Sequence, residues 1–242
     1  MARDEEPGRA IRLSALADLV PPGSRVADIG TDHALLPIRL LRDGRASFCV
    51  ATEIRPALVR RTRARLRDVP WADRLELRTG DGLEVLAPED RLNVLVLAGM
   101  GADTIRRILS HQRLQQLGVD RLVLQPQTDA AGLRAWLVHH RWRIVEEVLL
   151  RDGRRFTLLI AAETGHRIVI DRHPVLSRSD LLEAGPCLVR SGSPDVAAYW
   201  KDQLRRNRRI LEHATGGAAR DEAHRMCAVS GRILEALAPD RG

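Results

Sequence analysis

Four short segments place carboxylates and glycines where a particular kind of ligand is held. The first, Val26-Ala27-Asp28-Ile29-Gly30-Thr31-Asp32-His33, ends an apolar run in a carboxylate-rich turn. Such a turn suits a ligand with cationic amino and sulfonium groups. Gly30 lets the chain turn sharply and lets the ligand approach the backbone. Glu53, with Ile54 beside it, ends a second apolar run about 20 residues beyond the first loop, a spacing that fits an acid binding two ribose hydroxyls. In Gly80-Asp81-Gly82 an Asp between glycines can accept a hydrogen bond from an adenine amino group. In Leu97-Ala98-Gly99-Met100-Gly101 the backbone can come close to the reactive end of the same ligand. Each segment has a plainer reading: a helix-capping Asp, a surface Glu, an ordinary Asp-Gly turn. The four in this order are far more specific than any one of them. The first turn holds a single glycine, so it lacks the glycine pattern that cradles a pyrophosphate.

Something must carry these four loops side by side. Residues 25–30, 48–53, 75–78, 93–98 and 121–125 read as short strands, the fourth of them nearly all apolar, with helical segments at 34–41, 56–67, 103–117 and 130–140 between them. Pro56 opens the strongly basic second helix. Strands apolar on both faces suit a parallel sheet covered by helices, and the alternation suits a doubly wound fold whose ligands lie beyond the carboxyl ends of the strands. Two more strands, 143–150 and 156–162, surround the turn Arg151-Asp152-Gly153-Arg154 and close the sheet as a hairpin. That is the pattern of the seven-stranded class I adenosylmethionine-dependent methyltransferases rather than of a nicotinamide dehydrogenase. The expected division is a Rossmann-like domain over 1–164 and a C-terminal extension over 165–242. Within the extension, 171–195 reads as a connecting segment rich in Pro, Gly and Ser. Helices over 194–213 and 219–237 follow, with Trp200, Leu204 and Leu211 on one stripe and Met226, Ile233 and Leu237 on the other.

The chain has 242 residues, 44% hydrophobic and 29% charged, which is a globular balance. No apolar run reaches the ~20 residues of a membrane span, and the amino-terminal residues lack the apolar core of a signal peptide, so a cytoplasmic protein is expected. Cys49, Cys187 and Cys227 are odd in number and far apart, which argues against disulfides and thiolate zinc. The eight His show no ligand spacing, and no metal is expected. Formal charge is +7, carried almost wholly by arginine, with Lys201 the single lysine. A basic balance favours an anionic partner, though the excess is shared between both parts of the chain.

The segments Asp28-Ile29-Gly30-Thr31-Asp32-His33-Ala34, Leu97-Ala98-Gly99-Met100-Gly101 and Leu124-Gln125-Pro126, extended through Leu133-Arg134-Ala135-Trp136-Leu137, resemble the bacterial tRNA (adenine-22-N1)-methyltransferase family. The resemblance implies a class I methyltransferase fold, S-adenosyl-L-methionine as donor, and N1 of a tRNA adenine as acceptor. It also implies a C-terminal helical extension, which the residues after 165 match more loosely. Three positions depart: Leu35 stands where the family usually has Tyr, Ala102 replaces a second Gly, and Gln127 replaces Asn. Loss of the Tyr removes a natural stacking surface for the target base.

Adenine N1 offers an in-plane lone pair, so attack on a sulfonium methyl requires alignment and stabilisation of the new positive charge. Asp32 and His33 are the candidates for that role. Asp32 also serves as a candidate contact to the donor's amino-acid end, beside Asp28, Gly30, Glu53, Ile54, Asp81, Gly82, Ala98, Gly99, Met100 and Gly101. Arg205, Arg206, Arg208 and Arg209 are the candidates for phosphate contacts with tRNA. The competing readings are a methyltransferase of a small molecule or protein, marked by a deep closed pocket, and a non-catalytic RNA-binding protein on the same fold, marked by loss of the donor-site acids. The sequence leaves the oligomeric state open.

Overall fold

The computed structural model describes residues 7–31, 33–66, 69–152, 155–165, 173–213 and 215–238. A seven-stranded sheet runs through its centre in the order β3-β2-β1-β4-β5-β7-β6. The strands are β1 (Ser24–Ile29), β2 (Ala46–Glu53), β3 (Leu75–Thr79), β4 (Val94–Met100), β5 (Arg121–Pro126), β6 (Arg143–Asp152) and β7 (Arg155–Glu163). The first five are parallel, whereas β7 runs antiparallel to both β5 and β6. The closing hairpin therefore sits where the sequence places it.

Alternation along the apolar strands splits the core in two. Leu95 and Leu97 of β4, with Leu122 and Leu124 of β5, face one side. There they meet α4 (Ala102–Leu109) and α5 (Ala130–His139) through Ile105, Ile108, Leu133 and Leu137. Val94, Val96 and Val123 face the other side and meet α2 (Leu35–Arg42) and α1 (Pro7–Asp18) through Leu36, Leu40, Leu13 and Leu16. α3 (Pro56–Arg65) covers the β2–β3 edge with Val59, against Ala51 and Leu77. The helix expected over 103–117 stops at Leu109, and Gln112–Gln116 forms a separate short 3-10 helix after the Ser110–His111 turn.

The segment 171–195 is not a simple connector. Its described part folds into α6 (Arg178–Ala184) and α7 (Pro186–Ser191). The residues that look like loop punctuation act as helix boundaries. Ser177 accepts the Asp180 N–H while Asp180 accepts the Ser177 N–H, a reciprocal cap. Pro186 opens α7, and Gly192, in the left-handed region, closes it.

Two long helices, α8 (Pro194–His213) and α9 (Ala218–Ala236), then pack as an antiparallel hairpin. Trp200 and Val196 of α8 meet Val229 and Ile233 of α9 and Leu176, Leu181 and Leu188 of the preceding segment. Leu149 of β6 and Leu158 of β7 join the same cluster, so the extension shares a core with the sheet edge.

A buried ion pair fastens this junction. Arg134 of α5 donates from Nε to Glu147 Oε1 of β6 at 2.6 Å, and from Nη1 to the carbonyls of Leu182 and Glu183 at 3.0 Å each. Glu147 Oε2 accepts the Cys187 N–H at 2.9 Å. Both side chains are almost fully buried. Gly185, at φ +92°, passes so close that a Cβ there would lie 2.7 Å from Arg134 Nη2.

Candidate donor site and nucleic-acid interface

All parallel strands end on one side of the sheet, and the four sequence-predicted loops emerge there. Backbone hydrogen bonds tie the first to the second, the second to the third, and the fourth to the loop after β5. The Thr31 N–H donates to the Thr52 carbonyl (2.8 Å), the Gly80 N–H to the Glu53 carbonyl (3.2 Å), and the Gln127 N–H to the Met100 carbonyl (2.8 Å).

Gly30 lies at φ +72°, a region open to Gly at little cost. A Cβ built on it would stand 2.5 Å from Met100 Cε, so the first and fourth loops pack directly on each other. Asp28 is buried at the end of β1. Burial pushes its carboxyl up to about 6, against a weaker opposing effect from the Thr31 hydroxyl. The same burial, with the Asp28 charge nearby, pushes the Cys49 thiol up to about 12, so Cys49 remains an un-ionised core residue.

Glu53 is buried too, yet its carboxyl is held below the usual value. Burial is the largest single influence and acts upward, but the hydrogen bonds and charge of Arg55 together outweigh it. Glu53 Oε1 accepts from the Arg55 N–H at 2.9 Å and from Arg55 Nε at 2.8 Å. Oε2 has a longer bond, 3.3 Å, from Arg55 Nη2. Next to it the apolar side chain of Ile54 is 62% exposed. Asp81 is exposed, 3.8 Å from Arg107 Nη1. Gly82 has a positive φ. Ala98 is partly buried, Gly99 is exposed, and Gly101 caps α4.

These features meet the demands of an adenosyl ligand bearing a sulfonium: a buried carboxylate, an acceptor pair, an exposed apolar surface and glycine-lined backbone. His33 is partly buried, and its carbonyl accepts from Arg65 Nη2 at 2.6 Å. Ala34, in the left-handed region at φ +52°, precedes α2 directly after it. Asp32 lies outside the described residues. Leu35 packs partly buried against the α1–α2 side of the core, and Ala102 is buried, its N–H donating to Thr128 Oγ1 at 3.3 Å. The exposed Gln127 side chain stands at the groove described next.

Sequence reasoning missed one contributor, Arg12 of α1. Its Nη1 donates to the buried Gln125 Oε1 at 3.1 Å, 113 residues away, and lies beside Gly99. The signal was the 13-16-17-20 apolar spacing ahead of β1, which marks an amphipathic helix. From Arg12 a groove of about 680 Å³ runs along the β5–α5 loop and under α8. A second cleft, about 970 Å³, lies between the β6–β7 hairpin and α8. It gathers Arg205, Arg206 and Arg209 with Lys201 and Arg151, while Arg208 is exposed elsewhere on α8.

Among the described residues no group of His, Cys, Asp and Glu is placed to hold a metal ion, and no helix is long and apolar enough to cross a membrane.

Residues 26–235 match the family model for tRNA (adenine(22)-N(1))-methyltransferase. The tRNA (adenine(22)-N(1))-methyltransferase of Bacillus subtilis strain 168 is 31% identical over 208 residues, 86% of each chain. The structure of the B. subtilis m1A22 tRNA methyltransferase TrmK superposes with a TM-score of 0.79 at 27% identity, covering 94% of this chain and 97% of that one. Streptococcus pneumoniae Sp1610 in complex with S-adenosyl-L-methionine gives 0.79 at 28% identity, covering 93% and 98%.

Proposed function

The chain belongs to the tRNA (adenine(22)-N(1))-methyltransferase family, and from that premise we propose that it transfers the methyl group of S-adenosyl-L-methionine to N1 of adenine 22 in tRNA. The observation that carries this is the joint arrival of Gly30, Glu53, Asp81 and Met100 at successive strand ends, inside a family match that spans both the sheet and the helical extension. The donor, when bound, supplies a methyl group activated by its sulfonium.

The roles of this chain's residues follow from their placement. Glu53 takes the ribose hydroxyls, with Oε2 the oxygen less engaged by Arg55. Ile54 covers the adenine ring, and Asp81 with Gly82 meets its amino edge. Asp28, Gly30 and Asp32 line the cationic amino-acid end, and Ala98, Gly99, Met100 and Gly101 shape the methyl end. A buried carboxylate near a sulfonium is worth more than one in water, because little solvent screens it.

N1 carries no proton in the neutral base, so no general base is required. His33 and Asp32 align the pairing edge and offset the charge that appears on the ring. N1 is a pairing atom, so the adenine must be unpaired or extruded, at a cost of a few kcal/mol. The end of β4 and the residue after it, Ala98-Gly99-Met100-Gly101, lack the Asn/Asp-Pro-Pro-aromatic sequence of enzymes that methylate exocyclic adenine amines.

Residues 1–164 make up the catalytic domain and 165–242 the extension that adds tRNA affinity through Arg205, Arg206, Arg208 and Arg209. A tRNA-modifying role supports a cytoplasmic location. Nucleoside mass spectrometry after incubating the protein with donor and a tRNA bearing adenine 22 tests the assignment. N1-methyladenosine is expected at that position. Its absence, with donor bound, overturns it.

A further inference from the structure

We propose that the two clefts along α8 form one continuous path for the RNA strand, entered from Arg12 at the methyl-donor site and leaving over Arg206 and Lys201. This rests on the tRNA methyltransferase reading and names the surface that would hold the substrate.

The continuity is physical. Phe156 and Arg206 line both clefts, so the two grooves meet across these side chains. The inner groove begins at Arg12 and the loop that follows β5, which is hydrogen-bonded to the methyl-end loop through Gln127 N–H and the Met100 carbonyl. The hairpin supplies the wall, because β6 ends and β7 begins on the side of the sheet where the parallel strands end. A strand leaving the reaction centre would thus enter the groove beside Arg12.

Single-stranded RNA is bound by cations that track phosphates and by aromatic faces that stack bases, and the walls supply both, the inner groove's acids Asp129, Glu183 and Glu222 being paired with Arg106 or Arg225. Arg12 is held by a neutral amide, and Lys201, Arg206 and Arg209 form no ion pair among the described residues, so their charge is not already neutralised by a carboxylate. Among the described residues Asp202, paired with Arg205 at 3.1 Å, is the one acid lining the outer cleft. Phe156 stands edge-on to Tyr199, with ring centroids 5.4 Å apart, and Tyr199 stands edge-on to the buried Trp200. These rings give the junction between the clefts an aromatic wall. The wall suits the base that flanks a flipped adenine, a contact made otherwise than by the Tyr that Leu35 replaces.

Filter binding of full-length protein to the tRNA substrate over a salt series reads the path directly. Arg12→Gln and Arg206→Gln should each weaken binding and reduce the slope of log affinity against log salt by about 0.7–0.9, the value for one neutralised phosphate. Phe156→Leu should weaken binding with the slope unchanged, because stacking releases no counterions. Arg42→Gln, on an exposed residue outside both clefts, should change neither. Calorimetry with S-adenosyl-L-methionine reports whether each variant keeps its fold. If Arg12→Gln loses donor binding, Arg206→Gln and Arg12→Lys carry the test, the latter being expected to keep both slope and donor binding. Unchanged affinity and slope in Arg12→Gln and Arg206→Gln would overturn the path. So would an equal loss in Arg42→Gln, or a loss of donor affinity alone in Arg12→Gln, which would put Arg12 on the donor's carboxylate. Failure of the wild-type protein to methylate a tRNA that it binds would instead overturn the functional reading on which the path rests.

Discussion

Asp28 and Glu53 are both buried carboxylates at strand ends, yet burial acts on them with opposite net results. Glu53 has Arg55 to hold its charge, whereas among the described residues Asp28 has the Thr31 hydroxyl alone to oppose burial. The Asp28 carboxyl is about 6 in the folded protein against an ordinary 3.8, so between those values the folded state binds more protons than the unfolded one. The stability tied to this group is full below pH 3.8 and is lost as pH rises through about 6. At pH 8 the buried charge costs about 3 kcal/mol in the donor-free protein. Asp28→Asn should therefore raise the melting temperature at pH 8 by several degrees and change it much less at pH 5, while weakening the binding of a cationic donor. Scanning calorimetry at the two pH values checks the first effect, and equal shifts at both would remove Asp28 as the cause. Glu53→Ala should weaken donor binding by about 1.5–3 kcal/mol, because two hydroxyls lose a charged acceptor. Titration calorimetry on a folded variant with unchanged affinity would take Glu53 out of the site.

At the scale of elements, the donor segments were legible because each lies at the end of a strand and carries its own short motif. Asp28-Ile29-Gly30 or Gly80-Asp81-Gly82 can be read from neighbours in the chain. Two features resist that kind of reading. Arg12 reaches Gln125 across the fold, and nothing local to either residue predicts that bond. α6 and α7 are short, and the Ser, Pro and Gly that cap them are the same residues that mark loops, so composition alone reads them as connector. Arg134 lies in a segment legible as a helix, but its burial beneath α6 and α7 depends on Glu147, which comes later in the chain. Removing one partner of such a pair leaves an uncompensated buried charge. Glu147→Ala should thus destabilise the protein by about 3–5 kcal/mol, and the double change Arg134→Met with Glu147→Leu should recover part of that. Urea unfolding measures both. A double variant no more stable than the single one would show that Glu147 acts through the Cys187 N–H rather than through Arg134.

Across the whole molecule, the sheet edge and the extension are one structural unit serving two tasks. Leu149 and Leu158 belong to the sheet by hydrogen bonding and to the extension by packing, and Asp180 of α6 is bound in turn by Arg232 of α9 at 2.7 Å. A chain cut after Glu163 would uncover those leucines and strand the Arg134–Glu147 pair, so it should unfold at a lower urea concentration even though every donor loop precedes the cut. Charge neutralisation separates the two tasks more cleanly. Arg205, Arg206, Arg208 and Arg209 are all exposed on α8, so their replacement by Gln leaves the shared core intact. The quadruple variant should bind S-adenosyl-L-methionine as the wild type does. Its tRNA affinity should fall, and log affinity should depend less steeply on log salt, by about 0.7–0.9 for each phosphate that is no longer neutralised. Because Arg208 stands outside the cleft that holds the other three, restoring Arg208 alone should recover little, whereas restoring Arg206 should recover more. Equilibrium binding across a salt series distinguishes these outcomes. If the quadruple variant keeps both affinity and slope, α8 presents only a solvated face and the tRNA is held by other cations, such as those on the strongly basic α3 beside Glu53.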